Sequence, residues 1–218
     1  MRIGVLGGTF DPIHLGHLAV ARAAHRALAL DHILVIPSHT PPHRSMQPSA
    51  SVYHRFAMAA LAVASTEACR VSDLELLAGG TSYTSRTLER LHEAGFAPDT
   101  LVFLTGADAF AEIESWKDYP RLLTQAHFAV VSRPGWPVSQ LRHRLTALAG
   151  RMIDVTNDRA PERVPESTIF LIDADTPDVS ATAIRQRLLT GESLEGFVDP
   201  AVDEHIRRHG LYQRSTVN

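Results

Sequence analysis

Two histidines three residues apart, His14 and His17, follow a glycine pair in the run Gly7-Gly8-Thr9-Phe10-Asp11-Pro12-Ile13-His14-Leu15-Gly16-His17. Imidazoles and unencumbered backbone N–H groups are donors that suit an anion with several oxygens, so the run reads as a phosphate cradle. Gly7 and Gly8 let the main chain approach a ligand closely, and Gly16 leaves room between the histidines. A three-residue spacing near a helix start lets both imidazoles face one ligand. Taken singly, a histidine is more often a partly buried polar residue and a glycine pair more often a turn; their order together points to chemistry. The run is neither the G-x-G-x-x-G fingerprint nor a G-x-x-x-x-G-K-[ST] loop, so conventional dinucleotide binding and P-loop hydrolysis lose support. A zinc hydrolase is disfavoured as well, because H-x-G-H lacks an evident third ligand and a general-base glutamate. Lys117 is the only lysine, which leaves arginine, histidine and backbone amides to hold any phosphate.

These residues need a scaffold, and the hydrophobic pattern describes one. A β-prone run over 2–6 ends in the glycine pair, an Ala/Leu-rich helix is expected over 15–30, and the apolar run 32–36 stops at Pro37. That is a βαβ unit whose second strand is buried on both faces. Residues 37–51 carry four prolines among polar residues and read as a long loop. Further strands are expected over 71–77, 101–104, 128–131 and 168–172, with helices over 52–64, 85–94, 138–148, after 180, and over 200–209. Residues 158–167 read as a mobile surface loop. Strands alternating with helices imply an α/β, single-domain, doubly wound and mostly parallel sheet with helices on both faces, and ligands at the carboxyl ends of its strands.

Bulk properties narrow the partners. With 218 residues, 44% hydrophobic and 21% charged, the chain suits one compact soluble domain. A net charge of -3 offers no basic field for nucleic acid. The lone Cys69 excludes an internal disulfide framework and a cysteine-based zinc site. Residues 1–6 are too short an apolar run for a signal peptide, and no stretch approaches the roughly 18 apolar residues needed to span a bilayer. A reducing, cytoplasmic setting is expected, with no membrane partner and a homo-oligomer left open.

The opening run resembles the G-G-T-F-D-P-I-H-x-G-H of the nucleotidyltransferase superfamily, and Ser180-Ala181-Thr182-Ala183-Ile184-Arg185 resembles its S-x-T-x-x-R motif. Four more stretches resemble the nicotinate mononucleotide adenylyltransferases within it. They are Pro41-Pro42-His43-Arg44; Ser82-Tyr83-Thr84 with Thr87-Leu88; Gly106-Ala107-Asp108 with Trp116; and Val130-Val131-Ser132-Arg133-Pro134-Gly135. With a closing Gly210-Leu211-Tyr212, the resemblance covers nearly the whole chain. It departs at Arg44, where lysine is frequent, and at Ser38-His39, where the family often has asparagine.

The resemblance implies a Rossmann-like nucleotidyltransferase fold over residues 1–218, with the second motif and terminal helices in about 178–212. It implies transfer of the adenylyl group of ATP to nicotinate mononucleotide, with Mg²⁺ carried by the ATP. Gly7, Gly8, Thr9, Phe10, His14, His17, Gly106, Asp108, Ser180, Thr182 and Arg185 would meet ATP, and His14, His17 and Arg185 would be catalytic. Ser180 is a plausible N-cap and Arg185 a phosphate clamp. Trp116 would stack on the pyridine ring, Asp108 would bind ribose hydroxyls, and amides around Tyr83 and Thr84 would receive the carboxylate. Arg44 and Arg133 would grip the mononucleotide phosphate. Two rivals compete: a superfamily member acting on another phosphate such as phosphopantetheine, and a nucleotide-binding sensor without turnover.

Overall fold

In the computed structural model, which describes residues 1–42, 48–155, 164 and 167–213, seven strands form one sheet in the order β3-β2-β1-β4-β5-β7-β6. They are β1 (Ile3–Gly8), β2 (His32–Pro37), β3 (Cys69–Val71), β4 (Leu101–Gly106), β5 (His127–Val131), β6 (Met152–Asp154) and β7 (Ile169–Ile172). Every pairing is parallel. The central strands read Ile-Gly-Val-Leu, Leu-Val-Phe-Leu and Phe-Ala-Val-Val because both faces are covered, and parallel strands covered on both faces have no solvent side to alternate toward.

The helices are α1 (Leu15–Leu28), α2 (Val52–Val63), α3 (Leu74–Ala78), α4 (Thr84–Glu93), α5 (Ala107–Phe110), α6 (Leu141–Arg144), α7 (Ala181–Thr190) and α8 (Pro200–Arg208). One face of the sheet buries Val20, Ala24, Met58, Ile184, Val202 and Ile206 of α1, α2, α7 and α8. The other buries Leu88, Leu91, Phe110 and Leu141 of α4, α5 and α6. The sheet is therefore doubly wound, as expected. Alanine dominates the inward side of α1, at Ala21, Ala23, Ala24 and Ala27, which brings that helix close to the strands. It ends where Ala29 turns left-handed (φ 47°, ψ 51°). No helix among the described residues is long and apolar enough to cross a membrane.

Two expectations need correction. Residues 71–77 are not one strand: β3 stops at Val71, and Leu74–Ala78 is helix. The Ser72 hydroxyl accepts the Leu74 amide, and Glu75 turns inward to accept from Thr87 Oγ1 (2.9 Å) and Arg90 Nη1 (2.7 Å) of α4. A charged pair across two elements overrides the β propensity of the run. Residues 138–148 are not one helix either. A 3₁₀ turn at Val138–Gln140, α6, and a second 3₁₀ run at Thr146–Arg151 replace it, divided at Leu145 (φ −115°, ψ 61°). Strand β6 and the short α5 went unread, being too brief to show periodicity. The loop expected over 158–167 lies outside the described residues except for Val164 and Ser167.

From β1 the chain winds outward to β2 and β3, then crosses back to place β4 on the other side of β1. The two windings diverge between β1 and β4, and a crevice opens above their carboxyl ends.

Candidate active site

Gly7 and Gly8 end β1, while Thr105 and Gly106 end β4, and all but Gly106 line a cavity of about 560 Å³ above that crevice. Its far wall comes from Tyr83, Thr84 and Thr87 at the start of α4 and from Trp116 and Lys117 after α5. Trp116 is half-buried and stands edge-on to Phe103, with ring centroids 6.0 Å apart. The Lys117 ammonium lies 5.1 Å from the Tyr83 ring centre. Thr84 opens a ten-residue helix and lines the cavity, so the positive end of that helix dipole lies at its wall. One wall of the cavity is thus flat and aromatic, next to amides that suit a carboxylate.

From the glycine pair the chain runs on into α1. His14 is its N-cap, and the His14 backbone N–H donates to His17 Nδ1 at 3.2 Å. That bond fixes the tautomer: with Nδ1 accepting, neutral His17 carries its proton on Nε2 as a donor. The two imidazoles stack with centroids 3.7 Å apart. Burial, helped by the Arg133 cation, pulls the His14 pKa down to about 3. Burial, then His14, then Arg133 hold His17 well below the usual imidazole value. Both rings are therefore neutral at pH 7. His14 Nδ1 is buried without a hydrogen-bond partner among the described residues.

Arg133, which follows β5, flanks the histidines. Its Nη2 donates to the Val179 carbonyl at 3.0 Å. A Cβ added to Gly16 would lie 2.5 Å from Arg133 Nη1, so glycine there admits the guanidinium beside His14. A Cβ on Gly106 would meet Arg133 Cγ at 3.0 Å and collide with Asp108 Oδ1. Arg133 thus spans from the histidines to Asp108, which is exposed on α5. Beyond it lies a second cavity of about 530 Å³ lined by Ser132, Arg133, Gly135, Asp173 and Thr176.

Ser180 caps α7, its hydroxyl accepting from the Ala183 amide at 3.2 Å. Arg185, one and a half turns on, donates through Nη1 to the Asp11 carbonyl at 2.6 Å and through Nη2 to Thr182 Oγ1 at 3.2 Å. Both sequence motifs therefore meet, although 174 residues separate Asp11 from Arg185. Phe10 is buried and left-handed at φ 51°, and its ring stands perpendicular to that of His17 with centroids 5.0 Å apart, so its side chain supports His17. Arg44 and His43 lie outside the described residues.

Two residues that organise the site escaped the sequence reading. Asp11 is 1% exposed and accepts from the Ser49 amide (2.9 Å), the Ala50 amide (3.0 Å) and the Tyr212 hydroxyl (2.9 Å). Arg55, also 1% exposed, donates to the carbonyls of Thr9 (2.7 Å), Ser38 (2.7 Å), His39 (2.8 Å) and Ala50 (3.3 Å). Together they tie the glycine loop to both ends of the proline-rich loop. A signal for Arg55 existed, since it stands three and four residues before buried Met58 and Ala59, on the apolar face of α2.

The comparisons agree with this geometry. The cytidylyltransferase-like family model matches residues 5–187. A protein of Desulfatibacillum aliphaticivorans, "Probable nicotinate-nucleotide adenylyltransferase", is 40% identical over 97% of this chain and 100% of its own. A Roseiflexus protein of the same name is 41% identical over 97% and 98%. Among solved structures, Plasmodium falciparum nicotinic acid mononucleotide adenylyltransferase complexed with NaAD superposes with a TM-score of 0.71 at 18% identity, covering 97% of each chain. At that identity the structural likeness speaks for the fold.

Proposed function

The chain belongs to the cytidylyltransferase-like family, among its nicotinate-nucleotide adenylyltransferases, and from that membership and the shape of the crevice we propose how it works. It transfers the adenylyl group of ATP to nicotinate mononucleotide, releasing pyrophosphate and nicotinate adenine dinucleotide. One observation carries the reading. A cavity whose wall holds an indole and a helix N-terminus is floored by Gly7, Gly8 and Thr9, the loop that runs directly into a neutral, tautomer-fixed histidine pair flanked by Arg133 and joined at Asp11 to Arg185. A triphosphate suits the histidines and arginines, and a carboxylated flat ring the indole wall.

The mononucleotide's 5′-phosphate, with its second pKa near 6, is mostly dianionic at pH 7 and needs no general base. One of its oxygens attacks the α-phosphorus of ATP. A new P–O bond forms, the bond from the α-phosphorus to the bridging oxygen breaks, and that oxygen leaves with pyrophosphate. The protein's task is alignment and charge stabilisation. His17 Nε2–H donates to oxygens on which charge grows, and His14 supports it. Arg185, with Thr182 and the α7 N-terminus, holds the departing phosphates, while Arg133 bridges the two phosphate positions from beside Gly16. Trp116 stacks on the pyridine ring, amides around Tyr83 and Thr84 receive its carboxylate, and Asp108 takes ribose hydroxyls. Adenosine has room in the cavity beyond Arg133.

Among the described residues no group of three or more His, Cys, Asp or Glu forms a metal cage. Mg²⁺ carried by ATP would supply charge neutralisation on the phosphates, alongside the guanidinium groups of Arg133 and Arg185. Residues 1–218 act as one transferase unit in this reading.

Pyrophosphate release by the purified protein with ATP and Mg²⁺ tests the proposal, with nicotinate mononucleotide, nicotinamide mononucleotide and phosphopantetheine supplied in parallel. Fast release with the nicotinate substrate is expected. Comparable rates with both pyridine substrates would remove the carboxylate preference, and release with phosphopantetheine alone would overturn the acceptor.

A further inference from the structure

The last described turn of the chain reaches into the site. Tyr212 packs its ring against the core under α8 and donates its hydroxyl to Asp11 Oδ1 at 2.9 Å. It does so from a left-handed backbone (φ 63°), a conformation costly for a non-glycine residue and kept only where the surroundings impose it. Burial, then the adjacent Asp11 charge, push its phenol well above the ordinary range, so it stays a donor at any working pH.

The carboxylate it serves is buried and shared. Asp11 holds the Ser49 and Ala50 amides and faces Arg185, whose Nη1 is 3.8 Å from Asp11 Oδ2 while donating to the Asp11 carbonyl at 2.6 Å. A buried carboxylate that loses a donor takes another from whatever polar group can approach. Arg55 also lies near, but it is engaged by four backbone carbonyls. Arg185, held at the longer distance and about one-fifth exposed, has the slack to close in.

We propose that Tyr212 is a positioning residue: by satisfying Asp11, it keeps the Arg185 guanidinium from collapsing onto that carboxylate and leaves it directed at the phosphates of ATP. The inference rests on the reading of Arg185 as a phosphate clamp. It predicts a specific asymmetry, because Ser49 and Ala50 keep their bonds to Asp11 when only the phenol is lost. The ATP side loosens, and the mononucleotide side does not.

The experiment uses the full chain and its variants Tyr212→Phe, Arg185→Lys and the double substitution. Calorimetric titration with ATP and Mg²⁺, and with inorganic pyrophosphate, accompanies steady-state kinetics and thermal melting. Tyr212→Phe keeps the ring, so the melting temperature should stay close to that of the parent. The Kd and KM for ATP should rise roughly tenfold, as expected for one lost charge-assisted hydrogen bond, with the mononucleotide KM within about twofold. In the Arg185→Lys background, Tyr212→Phe should add little, because its effect passes through Arg185. Unchanged ATP affinity, an equal rise for both substrates, or full additivity with Arg185→Lys would overturn the proposal. A parent protein that binds neither ATP nor pyrophosphate would overturn the functional reading beneath it, whereas a parent that binds both while Tyr212→Phe matches it sinks the positioning role alone.

Discussion

His17 owes its usefulness to a bond it receives. A free imidazole samples two tautomers, but the amide of His14 on Nδ1 leaves the proton on Nε2, the nitrogen left to donate to an incoming oxyanion. His17→Ala should lower turnover by about 10²-fold, since a preorganised donor at a developing charge is worth that much; near-normal kcat in a folded variant would remove the role. Trp116→Ala should instead raise the mononucleotide KM by roughly tenfold, with kcat little affected, because lost stacking weakens ground state and transition state alike. His14 makes a separate pH prediction. Its folded pKa of about 3 lies below the unfolded value of 6.5, so protons bind the unfolded chain more readily. The stability associated with neutral His14 is present above pH 6.5 and is lost as pH falls from there toward 3. Melting temperatures across that range should drop more steeply for the parent than for His14→Ala, and parallel curves would contradict it.

The elements position these side chains through their ends. Helix α1 begins at the histidines, α4 at the expected carboxylate site, and α7 at the second motif, so each of these motifs sits at a helix N-terminus. Between them, Arg55 of α2 stitches four carbonyls of two loops. Arg55→Met keeps the apolar stem but leaves those carbonyls unpaired, and should cost about 3–5 kcal/mol in urea unfolding. A loss under about 1 kcal/mol would mean that water replaces the guanidinium. The opposite sign is expected at the far end of α1. Ala29 is left-handed, so Ala29→Gly should stabilise by about 0.5–1 kcal/mol through relief of that conformation, again read by urea unfolding.

At the scale of the molecule, the crossover between β1 and β4 places residues 7–17, 81–87, 105–116, 133 and 180–185 beyond the carboxyl ends of the strands, drawn from both faces of the sheet. Much of this was legible in the sequence. Continuous apolar runs such as His32–Pro37 and Leu101–Gly106 declared buried parallel strands, because a strand covered on both faces has no polar alternation to show. The glycine-histidine run suggested the phosphate cradle proposed above because donor type and spacing are local properties. Tertiary structure alone decided the rest. Residues 71–77 became a turn and a helix because Glu75 found Thr87 and Arg90 on another element, which no local pattern records. Asp11, Arg55 and Tyr212 became the site's framework through bonds spanning 5 to 201 residues. The neutral state of His14 and His17 likewise came from burial and from Arg133, more than a hundred residues away in the chain. Sequence carries the identity of a donor and the period of an element; partner, burial and charge state exist only once the chain has folded, because each is a relation between distant residues.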